Sequence, residues 1–459
     1  MKRQNLVLLI AAASVLGACA ALQSGGEPPA QLTAAQGASL RACGVIGARF
    51  EYPNTQIDVA EPVMAAAVTL NGIPVAQHCL VRGQMFKRKG VDGQDYAIGF
   101  EMRLPLDWNG RFFHQVNGGI DGVVQPAYGP NTHSRGALAT AGTTVNHPFA
   151  PNVKLPDLGS AFTAQERQTV AKAVLQKCDA LDGAADGMVQ DVKACQAAFD
   201  LSRDVASCSA ARTGQCLTAG QKTLVSQVYA GGKTQSGKLI YRSFPWDTGV
   251  QTPNWAYWKF VNSQVLDPAA GYIFMSPTRS INALEEGDLD ERHRAIHATA
   301  APFAESADAA ITPPGKDNPV NLAPLRARGA KMLMYHGVSD AIFSANDTAA
   351  WWDRLNQAQG GRGADFARYF PVPGMAHCSG GTATDRFDGL SALVKWVEQG
   401  DAPSQLFSSS RGAGNTAGVN TDVPSDWSPT RTRPLCPYPM VARYTGSGDV
   451  EDAGNFACR

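Results

Sequence analysis

The carboxyl-terminal third of the chain alternates strand and helix patterns, and this alternation constrains the fold more than any other feature. Residues 331–336 form an apolar run typical of a buried parallel strand, and residues 367–372 form a second one. Helices are predicted near 346–357 and at 388–399, where apolar residues recur on one face. Strand–helix–strand–helix order predicts an α/β fold with a parallel sheet and helices on its faces.

Each of these two strands runs into a turn that carries a chemically useful side chain. The first ends in Gly337-Val338-Ser339-Asp340, and the second ends in Pro373-Gly374-Met375-Ala376-His377-Cys378. An acid and then a histidine, each just past a strand, is the order found in α/β-hydrolases. A carboxylate fixes the imidazole tautomer so that the other ring nitrogen deprotonates a serine. Asp340 and His377 are therefore predicted to form the acid–base pair of a hydrolase.

A short acidic segment suggests a metal site. Residues 178–188 carry Asp179, Asp182 and Asp186 at close spacing among glycines. Clustered carboxylates suit a hard cation with oxygen ligands, and the spacing differs from that of an EF-hand. The alternative is an acidic turn that is simply solvated.

Two strand patterns in the first third of the chain complete the set of motifs. Residues 95–117 alternate and end in the apolar run 111–116, ahead of the glycine-rich turn 117–122. Residues 137–145 are a further candidate strand. Residues 164–178 have helical spacing, with Thr163 as a possible N-cap.

Together, the two polar turns, the acidic segment and the stretch 108–122 resemble the tannase and feruloyl esterase family. The resemblance implies an α/β-hydrolase-type parallel sheet with a large irregular lid insertion, and serine-triad hydrolysis of carboxylic esters of small aromatic compounds. It also assigns roles to residues. Asp340 and His377 become the catalytic acid and base, Gly118 and Gly119 the oxyanion turn, Phe343 a wall of the substrate pocket, and a structural Ca²⁺ is bound by the side chains of Asp179, Asp182 and Asp186 and the carbonyls of Ala184 and Met188. For the 117–122 turn, a purely structural role remains an equal alternative.

The nucleophile that the resemblance requires is missing from the sequence. The family carries its serine in Gly-Cys-Ser-x-Gly-Gly, a variant of the strained elbow between strand and helix. No Gly-x-Ser-x-Gly occurs here: the 337–341 stretch lacks the last glycine, and Ser379 follows the base in a different loop. The elbow should lie between 137–145 and the helix before Cys178, but His147 to Ser160 contains no earlier serine. The sheet is therefore predicted to be internally truncated.

The cysteines are consistent with this deletion. Ten are present, and an export signal makes them readable as disulfides. The resemblance implies the pairs Cys43–Cys79, Cys178–Cys195, Cys208–Cys216 and Cys436–Cys458. In the family, the cysteine before the nucleophile pairs with the one after the catalytic histidine. Without the elbow, Cys378 is left unpaired.

The amino terminus has the features of a targeting segment. Lys2 and Arg3 precede the short apolar stretch 6–16, which indicates a signal peptide rather than a membrane span. The following Leu16-Gly17-Ala18-Cys19 resembles a bacterial lipobox, so we predict lipidation of Cys19 and an exported lipoprotein anchored to the outer membrane, periplasmic or at the cell surface. Simple cleavage that discards Cys19 is the alternative.

These observations give a domain plan: signal peptide 1–19, flexible tether 20–38, N-terminal part of the hydrolase core 39–160, lid with the calcium site 161–328, and C-terminal part of the core 329–459. Basic and acidic residues balance at 40 each, so no nucleic-acid partner is expected. Two interpretations remain. The chain is either an ester hydrolase that lacks an internal segment, or a calcium-stabilised pseudoenzyme that binds aromatic esters without cleaving them. Activation of water by Asp340 and His377 alone is a weaker third option.

Overall fold

The computed structural model describes residues 30–40, 42–70, 72–90, 92–115, 122–124, 126–127, 144–147, 150–154, 158–262, 270–281, 287–311, 322–415 and 418–459. The signal peptide, Cys19 and the candidate oxyanion residues Gly118 and Gly119 lie outside this part of the chain. So do residues 137–143 of the second candidate strand. No helix in the described ranges combines the length and the apolar character needed to cross a membrane.

The amino-terminal part is mostly antiparallel. Its elements are β1 (Ala38–Ser39), α1 (Ile46–Arg49), β2 (Thr55–Val63), β3 (Thr69–Leu70), β4 (Ile73–Pro74), β5 (His78–Lys89), β6 (Asp95–Pro105), β7 (Asp107–Trp108), β8 (Thr144–His147) and β9 (Ala150–Lys154). Strands β2, β5 and β6 form a three-stranded sheet with β5 in the middle. Strands β8 and β9 form an antiparallel pair.

The predicted strand over 95–117 is confirmed in its first part, where β6 spans Asp95–Pro105, but its apolar end is wrong for residues 111–115. Strand β6 ends at Pro105, and residues 109–115 have no regular secondary structure. Phe112 and Phe113 are 67% and 69% exposed. An apolar run forms a buried strand only where neighbouring strands satisfy its backbone groups and cover its faces. No described strand does so here.

The described residues of the lid segment are mostly helical. It contains α2 (Ala164–Cys178), α3 (Val192–Ala198), α4 (Leu201–Asp204), α5 (Ala219–Tyr229), the hairpin of β10 (Gly232–Lys233) and β11 (Leu239–Tyr241), α6 (Pro253–Tyr257), α7 (Leu289–His297) and α8 (Ala307–Ile311). Helix α2 matches the predicted range, and Thr163 caps it through a capping box with Glu166. Its apolar face joins the largest core cluster, which includes the fully buried Val170, Val174 and Leu217. The region predicted to be irregular is thus held by a compact core of its own.

The carboxyl-terminal part contains the predicted parallel strands. Its elements are α9 (Ala323–Ala327), β12 (Met332–Gly337), α10 (Ala345–Ala358), β13 (Ala367–Val372), β14 (Arg386–Phe387), α11 (Gly389–Gln399), β15 (Leu406–Ser409), β16 (Thr432–Leu435), β17 (Ala442–Tyr444) and β18 (Phe456–Cys458). Strands β12 and β13 pair in parallel from Met332↔Ala367 to Gly337↔Val372. Among the described strands, this parallel sheet has only these two members.

Four disulfides join the pairs that the resemblance implies. They are Cys43–Cys79, Cys178–Cys195, Cys208–Cys216 and Cys436–Cys458. Cys378 is a free, exposed thiol. Several disulfides in one chain fit an oxidising compartment outside the cytosol.

Candidate active site

Asp340 and His377 meet at one edge of the parallel sheet. Because β12 and β13 run parallel, the turns that follow them both lie at the carboxyl edge. The backbone N–H of Ser339 donates to the carbonyl of Met375 at 3.0 Å, which fixes the two turns together. His377 Nδ1 lies 2.8 Å from Asp340 Oδ2. The other carboxylate oxygen, Oδ1, accepts the backbone N–H groups of Ile342 and Phe343 at 2.8 and 3.0 Å.

The pair is electrostatically coupled. Burial raises the pKa of the Asp340 carboxyl, but hydrogen bonds from His336 and His377 outweigh burial and hold that pKa well below its usual range. Burial lowers the pKa of His377, but its interactions with Asp340 and, after that, with Cys378 outweigh this and raise the pKa to about 9. At neutral pH the two side chains therefore form an ion pair, with the acid ionised and the imidazole protonated.

A second histidine holds the acid from its own strand. His336 lies four residues before Asp340, and its Nε2 is 3.4 Å from Asp340 Oδ2. The same nitrogen lies 3.1 Å from the carbonyl of Phe343, and Nδ1 lies 2.8 Å from the Thr348 hydroxyl. His336 was not singled out from the sequence. Its position four residues before the acid, at the end of the same strand, was the signal available.

The lid supplies the opposite wall of the site. A short π-helix, Trp258–Asn262, follows α6 and brings Trp258 against His377, with ring centroids 4.4 Å apart in an edge-to-face arrangement. The next residue, Lys259, places its ammonium 3.6 Å from the centre of the Phe244 ring. Burial lowers the pKa of Lys259 to about 8, while the charge of Asp340 acts to raise it. Single turns of π-helix often occur at functional sites.

Phe343, predicted to line a substrate pocket, lies beside the imidazole of His377. Its ring centroid is 5.6 Å from that of His377, and its side chain is 61% exposed. Trp258 and Phe343 therefore both lie beside the imidazole. Trp258 was not identified from the sequence, because nothing local relates residue 258 to residue 377.

In the described residues, no serine hydroxyl hydrogen-bonds to His377. Ser379 is exposed in the loop after the base, and Ser339 donates its hydroxyl to Asp247 instead. The site as described thus has an acid, a base and an aromatic wall. The glycine-rich turn that could stabilise an oxyanion is outside the described ranges.

The acidic segment forms a tight loop in which one buried carboxylate oxygen, Oδ2 of Asp182, has no hydrogen-bond partner. Asp179 and Asp186 accept backbone N–H groups of the loop, and Asp186 also forms an ion pair with the buried Arg433. Asp182 is 3% exposed, and its Oδ2 has no hydrogen-bond partner. Burial, with added repulsion from Asp186 and Asp179, raises the pKa of Asp182 to about 7. A buried carboxylate oxygen without a partner fits a cation ligand.

The fit is partial for the rest of the predicted calcium ligands. The described residues contain no group of three or more Asp, Glu, His or Cys side chains arranged to hold a metal ion. Asp186 shares its carboxylate with Arg433, an ion pair that was not predicted. A calcium ion here would therefore depend on Asp182 and on backbone carbonyls such as those of Ala184 and Met188, so the calcium site stays a prediction.

Comparison with known proteins relates this geometry to a family. The family profile described as "Tannase and feruloyl esterase" matches residues 134–459. The chain is 30% identical to mono(2-hydroxyethyl) terephthalate hydrolase of Piscinibacter sakaiensis, and the alignment covers 89% of each protein. It is 29% identical to a probable feruloyl esterase B of Emericella nidulans, over 66% of this chain and 55% of that protein.

Solved structures show the same fold. An esterase from Aspergillus oryzae superposes with a TM-score of 0.63 at 18% identity, covering 91% of this chain and 99% of that one. Feruloyl esterase B from the same organism gives a TM-score of 0.56 at 17% identity, with the same coverage of each chain. The match of the family profile to most of the chain decides the assignment: this protein belongs to the tannase and feruloyl esterase family of carboxylic ester hydrolases.

Proposed function

We propose that this protein is a carboxylic ester hydrolase of the tannase and feruloyl esterase type in which Asp340 and His377 are the acid and base, and whose nucleophile segment is missing. The observation that carries the proposal is the 2.8 Å contact between His377 and Asp340 at the carboxyl edge of the parallel sheet. An aromatic ester is the substrate class, because Trp258 and Phe343 flank the imidazole.

The chemistry of the family is a two-step acyl transfer. A serine attacks the ester carbonyl, the histidine takes its proton and later gives it to the leaving alcohol, and hydrogen-bond donors hold the oxyanion. In this chain, Nδ1 of His377 is held by Asp340, which leaves Nε2 to exchange a proton with a nucleophile. The alignment with the terephthalate hydrolase extends over 552 positions, more than the 459 residues of this chain. The relative therefore contains residues with no counterpart here, which supports an internal deletion.

We expect the chain as written to hydrolyse aromatic esters at or near the background rate. Without a nucleophile, only binding and oxyanion stabilisation remain, and these give rates far below those of an intact triad. A protonated His377 is also no base at neutral pH, so activation of water by His377 should add no measurable rate there.

The test combines labelling and turnover. The protein is incubated with a fluorophosphonate serine probe, and hydrolysis of ethyl ferulate and of a terephthalate monoester is measured beside the His377→Ala variant. No labelling and equal, background rates are expected. Stoichiometric labelling, or turnover lost in His377→Ala, would show that a serine completes the triad after all. Sequencing the genomic DNA across codons 140–165 then tells whether the organism encodes the missing segment.

The second candidate function, an aromatic-ester-binding pseudoenzyme, is favoured by the absent elbow together with the preserved Asp340–His377 pair. Quenching of Trp258 fluorescence by ethyl ferulate, compared with a Trp258→Phe variant, would report binding at the site. Saturable quenching without turnover supports this candidate. Absence of both binding and turnover would contradict the hydrolase and the pseudoenzyme alike.

Two further parts of the proposal concern stability and location. A structural Ca²⁺ would be bound in the loop of Asp179, Asp182 and Asp186, mainly by Asp182 and the carbonyls of Ala184 and Met188, because Asp186 already pairs with Arg433; the unpaired buried oxygen of Asp182 supports this. Lipidation of Cys19 would anchor the exported chain to the outer membrane, supported by the Leu16–Cys19 pattern. Loss of the protein from the membrane fraction in Cys19→Ala is the expected result. An unchanged distribution would contradict the anchor.

A further inference from the structure

Asp247 is a buried lid residue that contacts the core at the site. It is 2% exposed and begins the 3-10 helix Thr248–Gln251. Its Oδ1 accepts the backbone N–H of Gly249 at 2.8 Å, an ordinary helix-capping bond. A capping aspartate usually lies at the surface, where its second oxygen is hydrated. Asp247 is buried instead, so its contacts other than the capping bond need an explanation.

The main other contact is with the acid turn. The same Oδ1 accepts the hydroxyl of Ser339, the residue directly before Asp340. Ser339 is 6% exposed, and its backbone N–H is bonded to Met375 in the base turn. The side chain of Ser339 is thus tied to the lid, while its backbone is tied to the turn that carries His377.

The lid backbone packs directly on this serine. A Cβ atom built on Gly249 would overlap both Cβ and Oγ of Ser339. No side chain fits between the lid helix and the acid turn, so a shift of one moves the other. Burial raises the pKa of the Asp247 carboxyl, although the Ser339 hydroxyl and the N–H groups of Gly249 and Gly374 favour its ionised form.

We propose that Asp247 is a positioning residue: through Ser339 it makes the orientation of the Asp340–His377 pair depend on the seating of the lid. The inference rests on the proposed function only in taking this pair as the acid and base. Asp247 does not reach substrate, and it acts through the turn that carries the acid. The competing explanation is that Asp247 merely caps its helix.

The two explanations differ in what Ser339→Ala does. This variant leaves the Gly249 cap intact and removes only the link to the acid turn. If the link positions Asp340, the imidazole spends less time paired and its pKa falls from the raised value towards 6.5. We expect a fall of about one unit, within the one to three units that a close opposite charge produces. If Asp247 is only a cap, the pKa stays where it is.

The experiment is an NMR titration of His377 in protein labelled with ¹⁵N-histidine, assigned with His377→Gln. Ser339→Ala and Asp247→Ala should lower the imidazole pKa. Asp247→Asn keeps an oxygen at Oδ1 and should restore most of it. The matched control is Asp200→Ala, which removes a cap of the same kind from α4, where Asp200 accepts the N–H of Arg203. It should leave the titration unchanged.

An unchanged titration in Ser339→Ala, or an equal shift in Asp200→Ala, would overturn the proposal. Ser339→Ala keeps the measurement decisive even if Asp247→Ala fails to fold. The readout needs neither ester binding nor turnover. Failure of the proposed function would therefore appear in the labelling and quenching experiments, while failure of this coupling would appear only in the titration.

Discussion

The core of the lid and strand β12 of the parallel sheet differ in how far their apolar residues are buried. In the lid, Val170, Val174 and Leu217 have no exposed surface. In β12 of the sheet, Gly337 alone is buried, and Tyr335 is 54% exposed. Yet the first four residues of β12, Met332 to Tyr335, are all apolar. Apolar composition therefore did not by itself decide which segment became core.

The two strands of the parallel sheet differ in their neighbours, and this explains why one is buried and the other is exposed. Strand β13 has β12 on one side, and on the other the backbone N–H of Tyr438 donates to the carbonyl of Tyr369 at 2.7 Å. Four of its six residues are buried. Strand β12 pairs only with β13 within the described ranges. An apolar strand typical of the centre of a sheet needs a neighbouring strand on each edge. The proposed deletion would remove the neighbour of β12 on the edge away from β13.

The prediction with the largest expected effect compares two residues that pair with each other across β12 and β13, one on the buried strand and one on the exposed strand. Phe370 of β13 is fully buried and Tyr335 of β12 is mostly exposed. Phe370→Ala should lower the free energy of unfolding by about 3–5 kcal/mol because it leaves a cavity. Tyr335→Ala should change it by about 0.5 kcal/mol or less, as at other surface positions. Urea unfolding measures both. Equal losses would show that the β12 edge is covered in solution.

The second-largest expected effect is a loss of stability of the lid when calcium is removed. A bound ion at 100 times its dissociation constant stabilises the folded state by about 2.7 kcal/mol. Excess chelator should therefore lower the melting temperature, and added Ca²⁺ should restore it. Asp182→Asn should abolish this response, whereas Asp388→Asn, at the cap of α11, should retain it. An unchanged melting temperature in the presence of chelator would rule out the calcium site.

A smaller loss of stability should appear at alkaline pH, because it depends on His377, which lies where the lid meets the parallel sheet. Burial lowers the pKa of His377, but Asp340 and, to a smaller extent, Cys378 raise it from 6.5 to about 9. A group with a raised folded-state pKa contributes stability that is complete below its unfolded pKa and lost as the pH rises through the folded one. Stability should thus decline between about pH 6.5 and 9, by about 1–2 kcal/mol once solvent screening is allowed for. His377→Gln should flatten the decline, and His293→Gln should not. An unchanged pH profile in His377→Gln would mean that the ion pair adds no stability.

The smallest effect concerns Cys378, an exposed thiol. In residues 20–459, a thiol reagent should find one free thiol per denatured, unreduced chain. Cys378→Ser should abolish that reaction and change the free energy of unfolding by about 0.5 kcal/mol or less, since no buried contact is lost. Two or more thiols would contradict the four disulfides, and none would indicate a dimer linked through Cys378.

Much of the fold followed from local patterns. Thr163 predicted the start of α2, because a capping residue satisfies backbone N–H groups without help from distant residues; in the structure Glu166 completes a capping box with it. The strands before Asp340 and His377 were predicted to within one residue, since parallel strands in α/β folds are continuous apolar runs. The predicted strand at 111–116 failed because a strand depends on neighbours that no local pattern guarantees.

The sequence by itself determined the chemistry at the ends of the strands: an acid, a base and no elbow serine. Parallel pairing then brings the two turns to one edge, a consequence of strand direction alone. Only the tertiary structure decided what surrounds them. The contacts of Trp258 with His377, of Asp247 with Ser339 and of Arg433 with Asp186 join residues far apart in the chain. Such contacts arise from packing, which no periodicity in the sequence encodes.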